Sequence, residues 1–252
     1  MQTFDSDGIE IAFIDEGPRT GEPVLLIHGF ASNVKTNWLD PGWVSALTDA
    51  GYRVIAYDNR GHGESAKPHA TEAYGAPLMA EDAHRLLDHL QIVRADVIGY
   101  SMGARIAAFL ALAHPKRVRS LVFGGLGINM VRGVAGTGPV ARALEAESID
   151  QVTNPTARTF RAFAEQTGSD LKALAACIRS SRAPITAEDL KRISCPVLVV
   201  VGELDVIGGS AQGLADLITG ARAVEIPRRD HMRSVGDRLF KEAAIDFLKS
   251  RP

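Results

Sequence analysis

With 252 residues, 46% of them apolar, the chain has the material for a large buried core and the length of one ordinary α/β domain or two small ones. A net charge of −2 supplies no basic field for nucleic acid, and neither a lysine-rich amphipathic stretch nor an uninterrupted membrane-length apolar run points to a bilayer. Met1–Gly8 lacks a basic or apolar leader pattern, so the expectation is a cytoplasmic protein whose partner is a small, neutral or weakly charged molecule.

The first element is a hairpin. Gln2 to Ser6 and Ile9 to Asp15 flank Asp7-Gly8, a pair suited to the positive φ values of a two-residue turn. Short apolar, β-branched runs then predict strands at Val24–Ile27, Arg53–Tyr57, Asp96–Ile98, Val118–Phe123, Val197–Val201 and Ala223–Ile226, about eight in all with the hairpin. Amphipathic stretches alternate with these strands, the pattern of a mostly parallel sheet flanked by helices. Helical spacing of Met79, Ala83, Leu86, Leu87 and Leu90, and of Leu239, Ala243, Phe247 and Leu248, predicts two core-facing helix stripes. His84 and His89, in or beside the first stripe, are expected to be solvated or locally hydrogen-bonded, and His62 and His69 belong to turn packing and solvent.

Between the strand at 96–98 and an alanine-rich helical run lies Gly99-Tyr100-Ser101-Met102-Gly103. A serine between glycines at a strand-to-helix turn is aimed outward, while the glycines let strand and helix pass each other. The Met102 N–H and the positive end of the helix dipole then face any negative charge forming beside Ser101 Oγ. The alternative is a small residue in a tight turn.

From Leu126 to Ile193 the predicted strands cease. Helix starts fall at Gly138-Pro139, Asn154-Pro155, Ser169-Asp170 and Thr186–Asp189, each with a capping residue or an early proline. This predicts a helical lid, residues 126–193, inserted in a core made of 1–125 and 194–252. Cys177 and Cys195 have neither redox-motif spacing nor a clustered ligand set, so both are expected to be reduced packing residues, with no metal site.

A serine nucleophile needs a histidine base and a carboxylate to orient it. Downstream, Asp205 follows the strand 197–201 in Gly202-Glu203-Leu204-Asp205, and His231 follows the strand 223–226 by a short loop. Glu203 and Asp230 are rival carboxylates. In this order, Ser101, Asp205, His231, the chain resembles the α/β-hydrolase fold family, and the resemblance extends over essentially its whole length. It implies a serine hydrolase without cofactor, and a His28-Gly29-Phe30 turn whose Phe30 N–H joins that of Met102 as oxyanion donor. It also implies that Asp58–Ser65 is an architectural turn and that His28 is structural. Two departures stand out: Asp230 precedes His231 where the family commonly has glycine, and Val206–Gly209 lacks the proline often found after the acid.

Phe30, Tyr100, Met102, Met130 and Met232 are candidates to line an apolar substrate pocket. Arg228, Arg229 and Arg233 are read as a solvated charged loop. The reaction expected from the resemblance is ester hydrolysis through an acyl-enzyme, with enol-lactone or carbon–carbon bond hydrolysis as the alternative. A further alternative is a non-catalytic binding member of the fold. Serine at 101 argues against epoxide hydrolase and haloalkane dehalogenase relatives, which use aspartate there.

Overall fold

Alternation along short apolar strands sorts the chain onto the two faces of one sheet. The structure, a computed structural model, describes residues 1–133, 136–180 and 183–251. Its strands are β1 (Gln2–Asp5), β2 (Glu10–Glu16), β3 (Pro23–Ile27), β4 (Arg53–Tyr57), β5 (Ala95–Tyr100), β6 (Val118–Gly124), β7 (Val197–Gly202) and β8 (Arg222–Ile226). They form a single sheet in the order β1-β2-β4-β3-β5-β6-β7-β8, with β2 antiparallel to both its neighbours, β1 and β4, and the remaining pairs parallel. Asp7 and Gly8, at φ 57° and 82°, make the two-residue turn of the opening hairpin.

The helices, in chain order, are α1 (Trp43–Asp49), α2 (Ala76–His89), α3 (Met102–Ala113), α4 (Asn129–Arg132), α5 (Thr137–Glu145), α6 (Pro155–Gln166), α7 (Leu171–Arg179), α8 (Ala187–Lys191), α9 (Ala211–Ala215), α10 (His231–Ser234) and α11 (Arg238–Ser250). Leu25, Ile27, Ile55 and Val97 meet α2 and α3 on one face of the sheet. Val24, Leu26, Val54 and Ile98, one residue out of step, meet Trp38, Trp43 and α11 on the other. This is the period-2 sorting that a two-sided buried sheet demands. Asp82 of α2 ties the hairpin to the neighbouring turn that follows β4. It accepts the Ser6 hydroxyl at 2.6 Å and, at 2.6 and 2.7 Å, a forked pair of bonds from the buried Arg60 guanidinium.

Two expectations shift. Leu239 is exposed and Phe240, Ala244, Phe247 and Leu248 form the buried stripe of α11, because Asp237 caps the helix at the Leu239 N–H and sets the register one residue on. A π-helical turn at Lys35–Leu39 and α1 occupy a region for which no helix is predicted. The two pieces are short and broken by Pro41-Gly42, so no periodic stripe develops.

The segment between β6 and β7 is helical among the described residues; residues 134, 135, 181 and 182 of the predicted 126–193 lid lie outside them. Asn154, Asp170 and Thr186 cap α6, α7 and α8, the last in a reciprocal box with Asp189. α5 starts at Thr137, with Pro139 inside its first turn. Cys177 and Cys195 are both buried, and burial pushes the Cys195 thiol up to about 11. Among the described residues no helix is long and apolar enough to cross a membrane.

Candidate functional site

The ends of β3, β5, β7 and β8 deliver polar groups to one rim of the sheet. After β5 the chain turns so sharply that Ser101 sits at φ 54°, ψ −111°, a region costing of order 1–3 kcal/mol for a residue with a Cβ. Two close approaches impose this turn. A Cβ on Gly99 would lie 2.3 Å from Gly103 O, and one on Gly103 would lie 2.0 Å from Ile27 O. The Ser101 N–H anchors the elbow by donating to Gly124 O at 2.7 Å.

Ser101 Oγ is 3.0 Å from His231 Nε2, and His231 Nδ1 is 2.8 Å from Asp205 Oδ2. A carboxylate only accepts, so Nδ1 carries the ring hydrogen and Nε2 is left to accept from the serine hydroxyl. Asp205 is itself fixed: its Oδ1 accepts the Ile207 and Gly208 N–H groups at 3.0 and 2.8 Å. The rival carboxylates are occupied elsewhere. Glu203 accepts the Arg228 N–H, and Asp230 caps α10 by accepting the Arg233 N–H. Below the imidazole, the Tyr100 hydroxyl donates to His231 O, and burial holds that phenol well above its ordinary range.

The His28-Gly29-Phe30 turn lies against the elbow, since a Cβ on Gly29 would be 3.5 Å from Ser101 Cβ. Among the described residues neither the Phe30 nor the Met102 N–H has an acceptor. His28 supports this turn from beneath. Its Nδ1 donates to Gly29 O at 2.7 Å and its Nε2 accepts the Asn59 N–H at 2.9 Å, while burial pushes the imidazole down to about 4. His62, packed 5.2 Å from the His28 ring and edge-on to Phe30, is held down to about 3 by burial and then by His28. Asp58 organises the neighbouring turn through the Val34 and Glu64 N–H groups.

A cavity of about 380 Å³ opens over Ser101, lined by Phe30, Tyr100, Met102, His231 and Met232. Met130 is a correction: it does not line the cavity and is buried in the core on the α3 face of the sheet. Backbone bonds from Gly127 and Ile128 to Gly208 and Ser210 pin the start of α4 and turn this residue inward. The walls that sequence reasoning misses are Val140, Phe160, Phe163 and Ile178 of α5, α6 and α7. The caps of α6 and α7 are legible, but helix starts do not say which face meets a cavity. Of the three nearby arginines, Arg229 pairs with Asp237 and Arg233 reaches the cavity's edge. His84, stacked on His114, and His89, stacked on Phe4, are packing residues, and His69 pairs with Asp170.

A model of the alpha/beta hydrolase fold matches residues 22–137. The 2-hydroxymuconate semialdehyde hydrolase of a Pseudomonas species is 36% identical over 140 residues, 55% of this chain and 45% of that protein. The chain thus matches less than half the length of this curated relative. Over whole chains, a hydrolase from Pseudomonas aeruginosa superimposes with a TM-score of 0.82 at 26% identity, covering 99% of this chain and 98% of the other. An enol-lactonase from Burkholderia xenovorans gives 0.81 at 25%, covering 99% and 100%.

Proposed function

Since the chain belongs to the α/β-hydrolase fold family, we propose that it is a serine hydrolase cleaving carboxylic esters of small to medium, largely apolar substrates. One observation carries the reading: the Ser101–His231–Asp205 relay, at 3.0 and 2.8 Å, opens onto an apolar cavity beside two backbone N–H groups that have no acceptor among the described residues.

In this reading His231 Nε2 takes the Ser101 proton as Oγ attacks the ester carbonyl, and Asp205 stabilises the imidazolium that forms. The Phe30 and Met102 N–H groups hold the oxyanion, each such donor contributing about 3–4 kcal/mol to the transition state. His231 returns the proton to the departing alcohol, and water then repeats the cycle on the acyl-enzyme. The helical segment 126–193 acts as a lid, its aromatic walls enclosing the acyl group, with 1–125 and 194–252 as the core. No step calls for a metal or organic cofactor, and the partner is a small-molecule ester.

A second reading, enol-lactone hydrolysis, is favoured by the full-length likeness to the enol-lactonase. The same relay serves it, but the leaving oxygen stays tethered to the acyl group. The deciding experiment runs nitrophenyl esters of increasing acyl length, an enol-lactone and a vinylogous diketone with wild type and Ser101→Ala. Nitrophenyl ester turnover that peaks at short to medium acyl lengths and is abolished in Ser101→Ala supports the ester reading. Preference for the lactone supports the second, and turnover surviving Ser101→Ala sinks both.

A further inference from the structure

The turn carrying Phe30, closed by the Ser32 N–H donating to Gly29 O at 3.3 Å, holds a strained residue. Ala31 lies at φ 60°, in the left-handed region that a Cβ disfavours, and is fully buried. Among the described residues its carbonyl has one hydrogen-bond donor: the Thr167 hydroxyl, 3.0 Å away at the C-terminal end of α6. Thr167 has one hydroxyl proton and three carbonyls within 3.1 Å, those of Ala31, Phe163 and Ala164. Phe163 O already accepts the Thr167 N–H, and Ala164 O already accepts the Ser169 N–H. The proton therefore goes to Ala31, whose buried carbonyl would otherwise be unsatisfied. Ser169 Oγ, 2.9 Å from Thr167 Oγ1, is placed to donate in turn. α6 grips the same turn a second time, with the Phe160 ring edge-on to Phe30 at 6.0 Å. Ala31 itself belongs to the apolar cluster built mainly by α5, α6 and α7.

We propose that Thr167 is a positioning residue for the hydrolysis. Its hydroxyl holds the carbonyl of the strained Ala31, two peptide units beyond the Phe30 N–H, so that the turn between them keeps this N–H pointed at the developing oxyanion, and the donor pair is complete only with α6 docked on the turn. The proposal rests on the serine-hydrolase reading above. A misaimed donor weakens an interaction that counts most in the transition state, so the loss belongs in kcat and not in KM.

Thr167→Val replaces the hydroxyl with a methyl group of the same shape. With nitrophenyl butyrate, kcat should fall about tenfold, a fraction of the 10²–10³ lost with a whole donor, while KM stays within about twofold. Thr167→Ser should restore kcat. In an Ala31→Gly background, where φ 60° carries no Cβ strain, the Thr167→Val loss should shrink to about threefold. Unchanged kcat in Thr167→Val, a KM-only effect, or a loss that serine does not restore overturns the positioning role while leaving the hydrolase reading intact. Absence of Ser101-dependent turnover in wild type overturns the hydrolase reading and the positioning role together. Thermal melting reports whether each variant folds; if valine is not tolerated, Thr167→Ala takes its place with the same outcomes.

Discussion

Asp205 reaches His231 with one carboxylate oxygen and two backbone N–H groups with the other, so its orientation is fixed before any substrate arrives. Asp205→Asn keeps the shape and changes what His231 meets. With Oδ1 still accepting from Ile207 and Gly208, the amide turns its NH₂ toward Nδ1, which must then accept. The ring hydrogen moves to Nε2, and the imidazole presents a donor to Ser101 where the reaction needs a base. kcat should fall by about 10⁴ with KM and melting temperature little changed. A loss under tenfold in steady-state kinetics would mean that Glu203 or Asp230 orients the histidine instead. The local sequence around His231 leaves these three carboxylates open, because which of them reaches the ring depends on how two loops fold back. Asp230 is spent on capping α10, a role that a residue directly before a short helix commonly takes.

At the scale of elements, the strand-to-helix elbow is the most legible part of the chain because its glycines answer to backbone atoms. Gly103→Ala would set a Cβ 2.0 Å from Ile27 O and 2.8 Å from His28 O, so β3 itself would have to move. Gly168, by contrast, has φ 65° and nothing within 4 Å of a Cβ. Guanidinium unfolding should show Gly168→Ala costing about 1 kcal/mol from the left-handed conformation alone. Gly103→Ala should cost more than about 3 kcal/mol, or prevent folding, as an overpacked site with no side chain free to yield. Equal midpoints for the two variants would refute the close-approach account. Strands are legible for a similar reason, since a buried sheet needs apolar runs and the loops between them need turn residues. The helical segment is legible only as helices. Caps at Asn154, Asp170 and Thr186 mark starts, but α5, α6 and α7 bury some residues against one another and turn others to the cavity, and amphipathic spacing does not separate the two surfaces. Met130 illustrates the cost: an apolar residue near the site points into the core because backbone pairing to Gly208 and Ser210 decides its direction.

For the whole molecule, the two buried histidines beneath the Phe30 turn make stability depend on pH in a definite direction. In the folded protein, burial holds His28 at about 4 and His62 at about 3, against 6.5 for a free histidine. Between these values the unfolded chain binds protons that the native state refuses. Stability therefore rises with pH across this window and is lost as pH falls below about 6.5, the loss continuing toward 4 for His28 and 3 for His62. Linkage puts the loss at about 2 kcal/mol for each histidine at pH 5 relative to neutral pH. His84, lowered chiefly by burial, adds in the same direction. Asp96, raised chiefly by burial, works in the opposite direction, because its folded form takes up a proton more readily than the unfolded chain. Denaturant unfolding of wild type at pH 7 and pH 5 should show a difference of about 4 kcal/mol, and His62→Gln, whatever its own stability, should show about half of it. A variant with the same pH dependence as wild type would mean that His62 accepts a proton in the folded state, and that the packing of its ring between His28 and Phe30 does not keep it neutral.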